Sequence, residues 1–290
     1  MTGTALLSDV LAKKVPKEDS ERDEKDFLAL LAIFRRLLSS QSDDERLALT
    51  EELMAQRADN VIRRAIEGFG MSYDEAIALI QNQGELSSLD AEKRKILIAA
   101  IDNLIDFAVA EEYQMLSDLP DDYDAWEESE EIIRVFKTFN QRYAKIEDSD
   151  AEYAMIVAAG LVSIKPTAIL TYMTMQDERV RPWHRVYEGF SAPKSSFPAW
   201  LIPPIEHQCR CFLIEDEVYG AMEVQASRES GAIPQMPDWF NLTFKECVAF
   251  GGRIFSDEHP YFKIGEEHSK QLQVIADNIK SRYFHGEGRS

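Results

Sequence analysis

A helical repeat of apolar residues runs through the first half of the chain almost without interruption. No proline occurs between Pro16 and Pro120, and proline is the residue that most strongly breaks a helix. Apolar side chains recur three and four positions apart over 27–38, 47–54 and 96–108, which places them on one face of an α-helix. The pattern predicts a mainly helical region that extends to about residue 148.

Residues that cap helices precede several of these stretches. Ser72 and Glu75 have the spacing of a capping box, in which each side chain accepts a hydrogen bond from the other residue's backbone amide. Ser87 or Ser88 is expected to begin a long helix. The acidic stretch 117–131 predicts a loop, followed by a helix from about Tyr123 to Tyr143.

The pattern changes after residue 148. Residues 151–161 predict one further helix, and the β-branched and aromatic residues of 168–175 favour a strand. Four prolines within 190–204 predict an ordered but irregular loop. The segments 211–214 and 218–224 flank three acidic residues, which is typical of a β-hairpin. Ser269 is expected to cap a last helix.

These elements predict an α+β protein in three parts. A mainly helical N-terminal domain, which is acidic, covers 1–148, and a small α+β core domain covers 149–225. A C-terminal extension with a final helix covers 226–290.

The negative charge is concentrated in the helical half. The formal net charge is −20. Residues 1–150 carry 34 Asp and Glu against 18 Lys and Arg, a balance of −16, which leaves 18 against 14, or −4, for the rest. Such a surface repels phosphate backbones and anionic lipid, so broad duplex binding and membrane docking are disfavoured. The partner expected for this acidic surface is a protein with a basic face.

The cysteine content and the N-terminus point to a protein made and kept in the cytoplasm. Three cysteines are too few, and an odd number, for a disulfide framework in a chain of this length. The first lysines follow a short apolar stretch, the reverse of a secretory signal. No apolar run approaches the roughly 18–20 residues that span a bilayer. The alternative is an exit route that needs no signal.

The most informative stretch is 177–211, which is dense in Arg, His, Trp, Pro and Cys. It contains the run DERVRP, a histidine, a glycine, a tryptophan, a Pro-Pro pair and a closing Cys-Arg-Cys. The residues that carry this pattern are Asp177, Arg179, Arg181, His184, Gly189, Trp200, Pro203, Pro204, Cys209, Arg210 and Cys211. In order and rough spacing they resemble the signature of the phage Mu F-like minor head (head-morphogenesis) proteins.

The resemblance covers roughly residues 150–215 and departs from the family pattern at two places. Tyr172 stands where the family usually has a tryptophan at the end of a strand. Residues 205–208 replace a Gly-Trp-Gly run found in many members. Other members carry a histidine two residues before the first cysteine, as His207 is here.

The resemblance implies a Mu F-like core domain over 149–225 and a low-copy structural protein of the phage head. Such a protein acts in capsid assembly and in DNA packaging or delivery near the portal. The implied partners are the portal protein and the major capsid or scaffold protein, with packaged DNA as a further contact. The implied location is the virion, and the host cytoplasm during assembly. The motif residues would then hold a conformation or an interface, without turnover.

Mu F-like segments also resemble modules that are joined to toxin or nuclease domains. The alternative function is therefore a phage- or prophage-encoded effector enzyme, nuclease or toxin-like, that uses His184 or His207 as acid or base. The sequence has no phosphate-cradling glycine loop, no HExxH and no GxSxG. His259 and His268 lie in a polar stretch and are expected at the surface.

The charged residues at the start of the motif have two interpretations. If the segment is extended, Asp177, Arg179 and Arg181 share one face, where Asp–Arg pairs can form bidentate hydrogen bonds. They would then form a salt-bridge network that pins the loop. The alternative is an anion site formed by the arginines.

The candidates for a metal site are His184, His207, Cys209 and Cys211. Imidazole and thiolate suit Zn²⁺, which prefers four such ligands in a tetrahedron. Cys209 and Cys211 are two residues apart and would point the same way on a strand. They can equally be buried structural thiols beside a hydrogen-bonded histidine. A reactive cysteine with His184 or His207 as its base is the third interpretation.

Overall fold

The computed structural model describes residues 17–120, 129–216 and 233–284. Within these ranges the chain is mainly helical with one small sheet, so the predicted α+β class is confirmed. The helices of the first half are α1 (Lys17–Leu38), α2 (Asp43–Gly68), α3 (Tyr73–Gln81), α4 (Ser88–Ser117) and α5 (Glu130–Lys137).

Serine caps begin several of these helices. The Ser72 side chain accepts a hydrogen bond from the Glu75 amide, and the Glu75 side chain accepts one from the Ser72 amide, so the predicted capping box is confirmed. Ser87 caps α4 by accepting from the Asp90 amide. Each bond satisfies a backbone N–H that has no partner inside the helix.

A continuous helical stretch crosses the boundary predicted at residue 148. α5 passes into a π-helical turn (Thr138–Tyr143) and then into α6 (Ala144–Val162). The expected separation between a helix ending at Tyr143 and another beginning at Ala151 is wrong, because no proline or glycine stands between them to break the helix. The predicted start at Tyr123 lies outside the described residues.

The helices, the sheet and the C-terminal segment share one continuous cluster of buried apolar side chains. α6 packs against α2 and α4 and carries buried residues on both sides of position 148. The boundary between the first two predicted parts therefore lies inside a helix that belongs to this core.

Three short strands form an antiparallel sheet. β1 (Ile169–Met173) lies between β2 (Ser191–Pro193) and β3 (Phe212–Asp216). The predicted strand over 168–175 is confirmed, and β3 matches the first half of the predicted hairpin. Its expected partner, 218–224, lies outside the described residues. The single helical turn α7 (Pro182–Arg185) follows β1.

The predicted irregular loop at 190–204 contains β2 and two 3₁₀ turns, Lys194–Ser196 and Ala199–Leu201. Its Pro203–Pro204 peptide bond is cis, and both prolines are buried. The loop is thus ordered, as predicted, and supplies a strand that the sequence pattern did not indicate.

The C-terminal segment contacts the helices of the first half through hydrogen bonds and helix packing. The Asn103 side chain of α4 accepts hydrogen bonds from the Ile254 and Phe255 amides and donates to the Phe255 carbonyl. The last helix, α8 (Glu266–Phe284), packs on α3 and α4. It begins before the predicted cap at Ser269, since acidic residues in its first turn favour a helix N-terminus. In the described part of the chain, no helix is long and apolar enough to cross a membrane.

Candidate metal centre and the adjoining cavity

The segment that opens the motif is a turn and not an extended strand. Residues 177–180 bend back, and the Arg179 amide donates to the Asp177 carboxylate. Pro182 then begins α7, because its fixed φ suits the first position of a helix. The expected shared face of Asp177, Arg179 and Arg181 is therefore wrong.

Asp177 pairs instead with Arg210. The two guanidinium nitrogens of Arg210 lie 2.7 Å and 2.8 Å from the two carboxylate oxygens of Asp177. This bidentate hydrogen bond lowers the pKa of Asp177 below its ordinary value. Arg185 also donates to the Asp177 carbonyl. The turn is thereby tied to the residues that lead into β3.

Glu206 joins three other side chains of the motif. Its Oε2 lies 3.0 Å from Trp183 Nε1, 3.1 Å from His184 Nε2 and 3.2 Å from Arg181 Nε. Arg181 also donates through Nη2 to the carbonyl of His207. Sequence reasoning missed Glu206, which stands in the part of the motif that departs from the family pattern.

The remaining motif residues shape the loop. Gly189 has φ +80°, a conformation that glycine adopts without a steric penalty, and its amide donates to the Tyr172 carbonyl. Trp200 packs edge-to-face on Tyr187 and on Phe240, with ring centroids 5.3 Å apart in both pairs. These contacts join the loop to the turn that follows α7 and to the C-terminal segment.

Three buried ligand atoms meet behind this network. Nδ1 of His184 lies 3.3 Å from Sγ of Cys211 and 3.8 Å from Sγ of Cys209. All three residues are buried, and their ligand atoms lie within 4.8 Å of one another. The group can bind a metal ion. The prediction that Cys209 and Cys211 face the same way is confirmed.

The hydrogen bonds of His184 orient it for coordination. Its Nε2 faces the Glu206 carboxylate and therefore carries the ring proton, because a carboxylate accepts and does not donate. Nδ1 then presents a lone pair to the two sulfur atoms. A carboxylate behind the second ring nitrogen is the usual partner of a metal-bound imidazole.

The two thiols differ in their affinity for a proton. Burial raises the pKa of Cys209 well above its ordinary value. The hydrogen bond from Cys209 lowers the pKa of Cys211. Cys211 is therefore the thiol that ionises first, and it lies closer to His184.

His207 is not part of this group. Its Nδ1 lies 2.8 Å from Oδ2 of Asp150, and the Gln208 amide donates to Oδ1 of the same carboxylate. Gln208, between His207 and Cys209, has a left-handed backbone conformation with φ 57°. The predicted four-residue set is corrected to three.

His207 lines a cavity of about 540 Å³ where α6, the motif and the C-terminal segment meet. His259 lines the same cavity and is buried, so its predicted surface position is wrong. It packs against the rings of Phe107 and Tyr261, and burial lowers the pKa of His259 to about 4. His268 is exposed, as predicted.

No family model, curated protein or solved structure matches this chain. Membership of the Mu F-like family stays a prediction that rests on the motif residues.

Proposed function

We propose that this protein is a minor head (head-morphogenesis) protein of the Mu F-like kind. It acts in phage capsid assembly and in DNA packaging or delivery near the portal. It is made in the host cytoplasm and becomes part of the virion, where its partners are the portal protein and the major capsid or scaffold protein. The observation that carries the proposal is that the charged motif residues bind one another.

A structural role requires side chains that bind one another and hold the backbone in one conformation, and we call this set of contacts the framework. Asp177 is bound by Arg210, and Glu206 is shared by Arg181, Trp183 and His184. In an enzyme, side chains of these types are directed at a substrate. Here they fix the turn, the loop and the start of β3 relative to one another.

The surface beside this framework suits a protein partner. Trp183 and Trp239 are 43% and 52% exposed and line one cleft, and Val186 is 69% exposed nearby in the chain. Exposed tryptophans are enriched at the centres of protein interfaces. The acidic charge of the helical half favours a partner with a basic face.

We propose zinc as the metal that the buried group binds. A tetrahedral Zn²⁺ with bonds of about 2.3 Å to sulfur and about 2.0–2.1 Å to nitrogen separates those ligand atoms by about 3.6 Å. The observed separations from His184 Nδ1, 3.3 Å and 3.8 Å, lie on either side of that value. The buried Tyr172 hydroxyl forms a hydrogen bond with Cys211 that helps to lower the pKa of this thiol, and the thiolate is the form that binds a metal. The ion would have a structural role.

Peptide mass spectrometry of density-purified virions and procapsids tests the head assignment. We expect this chain at low copy beside the portal and major capsid proteins. Its absence from both particles, while it is abundant in the infected cell, would overturn the proposal.

A second test uses the exposed tryptophans. The double variant Trp183→Ala and Trp239→Ala should reduce both incorporation into procapsids and capture by the purified portal or capsid protein. The matched control is Leu89→Ala with Val274→Ala, since these apolar side chains are also exposed but lie on α4 and α8. Equal incorporation of the two variants would rule out this surface as the contact.

An effector enzyme that uses His207 is a second candidate. The observation in its favour is the Asp150 carboxylate at Nδ1 of His207, the arrangement in which an acid orients a catalytic imidazole. His184 is less suited because both of its ring nitrogens already contact other side chains, Cys211 and Glu206. An RNA- or protein-cleaving activity of the purified chain that His207→Asn abolishes, and His268→Asn retains, would favour this candidate.

A further inference from the structure

The cavity beside His207 contains polar atoms that no described residue engages. Nδ1 of His207 is bound to Asp150, and Nδ1 of His259 accepts the amide of Tyr261. Neither Nε2 has a hydrogen-bond partner within the described parts of the chain. The two ring centroids are 6.2 Å apart and both residues line the cavity, so one ligand can contact both rings.

His259 is a hydrogen-bond donor toward this space. Because its Nδ1 accepts a backbone amide, its proton resides on Nε2. The residue is only 4% exposed and lines the cavity, so the cavity is the space from which a partner can reach this donor. A ligand oxygen in the cavity would satisfy it.

Two cationic and two acidic side chains line the cavity. Lys263 and Arg181 line it, in a chain whose formal net charge is −20. Of the two acids in the lining, Glu258 lies 3.6 Å from Lys245. Burial raises the pKa of the other, Glu147, well above its ordinary value.

The uncharged part of the wall is mostly apolar or aromatic. It is formed by Tyr143, Ile146, Leu242, Pro260 and Tyr261, together with the polar side chains of Gln208, Asn241 and Thr243. An apolar wall with a few convergent polar groups is the usual composition of a small-ligand site, and such sites measure about 300–1,000 Å³. The volume of about 540 Å³ lies in that range.

We propose that this cavity binds a carboxylate carried on an aromatic or apolar body. The carboxylate accepts from Nε2 of His259 and lies near Lys263, while the body packs against Leu242 and the tyrosines. Two sources share this chemistry: a small aromatic acid, and the C-terminal carboxylate of a protein chain that ends in an aromatic residue. The proposal does not depend on a role in the phage head.

Calorimetric titration of the full-length protein tests the proposal. The probes are phenylacetate and an acetyl-Gly-Gly-Phe peptide with a free C-terminal carboxylate. Their controls are phenylacetamide and the same peptide as its C-terminal amide. We expect one acid at least to bind with 1:1 stoichiometry, and its amide to bind about tenfold more weakly, because the carboxylate makes charge-assisted hydrogen bonds.

Two substitutions in the lining test whether the ligand binds in this cavity. Leu242→Trp fills the space and should abolish binding. Lys263→Gln should weaken binding about two- to fivefold, as expected for one exposed charge. Lys270→Gln removes an equally exposed lysine that does not line the cavity, and it should leave the affinity unchanged. Circular dichroism checks that each variant is folded.

The outcomes separate the two sources. Binding of phenylacetate as tightly as the peptide identifies a small acid, and binding of the peptide alone identifies a chain terminus. The proposal is overturned if neither acid binds saturably, if the amides bind as well as the acids, or if Lys263→Gln and Lys270→Gln have the same affinity.

Discussion

Two buried polar clusters lie in different parts of the fold and differ in where their positive charge comes from. Between the helices, Nε of Arg57 lies 2.7 Å from Glu111 Oε2, and Nη1 lies 2.7 Å from Asp148 Oδ1. Beside the sheet, His184, Cys209 and Cys211 bring three ligand atoms together. The helical cluster contains its own cation, Arg57. The His/Cys cluster consists of three metal-ligand atoms, which suit a metal ion bound from solution.

The helical cluster has more acids than its one arginine can neutralise. Burial raises the pKa of Glu111 and of Glu147 above their ordinary values, and it raises the pKa of Glu112 to about 8. Burial therefore favours the protonated form of these carboxyl groups, and Glu112 keeps its proton near pH 7. In the His/Cys cluster the proposed zinc ion neutralises thiolates instead. Both arrangements offset the free-energy cost of burying negative charge. The stability of the helical cluster should therefore depend on pH, and the stability of the His/Cys cluster on the proposed metal.

Removing the cation of the helical cluster should have the largest effect. Arg57→Met leaves Glu111 and Asp148 without their partner and should lower the free energy of unfolding by about 3–5 kcal/mol, as measured by urea denaturation. The control is Arg36→Met, which removes an exposed pair with Glu52 and should cost about 1 kcal/mol or less. Similar losses for the two variants would contradict the role assigned to Arg57.

Changing the carboxylate behind His184 should have the next largest effect. In Glu206→Gln, a neutral amide replaces the carboxylate that accepts the Nε2 proton of His184. This weaker acceptor should lower zinc affinity about 10- to 100-fold. At a fixed zinc concentration well above the dissociation constant, this corresponds to about 1.4–2.7 kcal/mol of stability. Competition with a chromogenic chelator measures the affinity. Glu178→Gln, an exposed acid in the same motif, should leave it unchanged, and equal affinities of the two variants would argue against an oriented His184.

The pH dependence of stability tests whether Glu112 in the helical cluster holds its proton. Because the folded pKa of Glu112 is about 8 and lies above its ordinary value, its favourable contribution is complete at low pH and is lost as the pH rises toward 8. Glu112→Gln keeps an acceptor for Asn140 and removes this loss. The variant should therefore gain stability over the parent between pH 5 and pH 8. A constant difference across that range would show that Glu112 does not hold its proton.

The smallest effect is expected at the exposed pair of the motif. Asp177→Asn loses the bidentate bond to Arg210 and should lower stability only slightly at pH 7. Since the hydrogen bond lowers the pKa of Asp177, this difference should vanish as the pH falls through that pKa. Thermal unfolding at pH 7 and pH 3 measures it. A larger loss at pH 3 than at pH 7 would contradict the pairing.

The local features of the fold could be predicted from the sequence. The caps at Ser72 and Ser87 and the strand after residue 168 depend on neighbours in the chain. Cys209 and Cys211 face the same way, as their spacing of two predicts, although both precede β3, which begins at Phe212. Each of these depends on short-range geometry, which a periodic pattern records.

The features that were missed depend on contacts between distant residues. His259 is buried because Phe107 of α4 packs against it, and the polar residues around His259 give no sign of that contact. His207 lies outside the metal group because its ring binds Asp150 of α6. Glu206 becomes the common acceptor only when the turn at 181–184 folds onto it.

The zinc content of the full-length protein, purified without chelator or a histidine tag, tests the contrast between the clusters most directly. We predict about one Zn²⁺ per chain, as for a structural site, with loss of the ion in His184→Ala and Cys211→Ser. His207→Asn and Cys247→Ser, which change a neighbouring histidine and a buried thiol outside the group, should retain it. A protein that holds no zinc after refolding with the metal, or whose zinc is unaffected by the first two substitutions, would contradict the proposed centre.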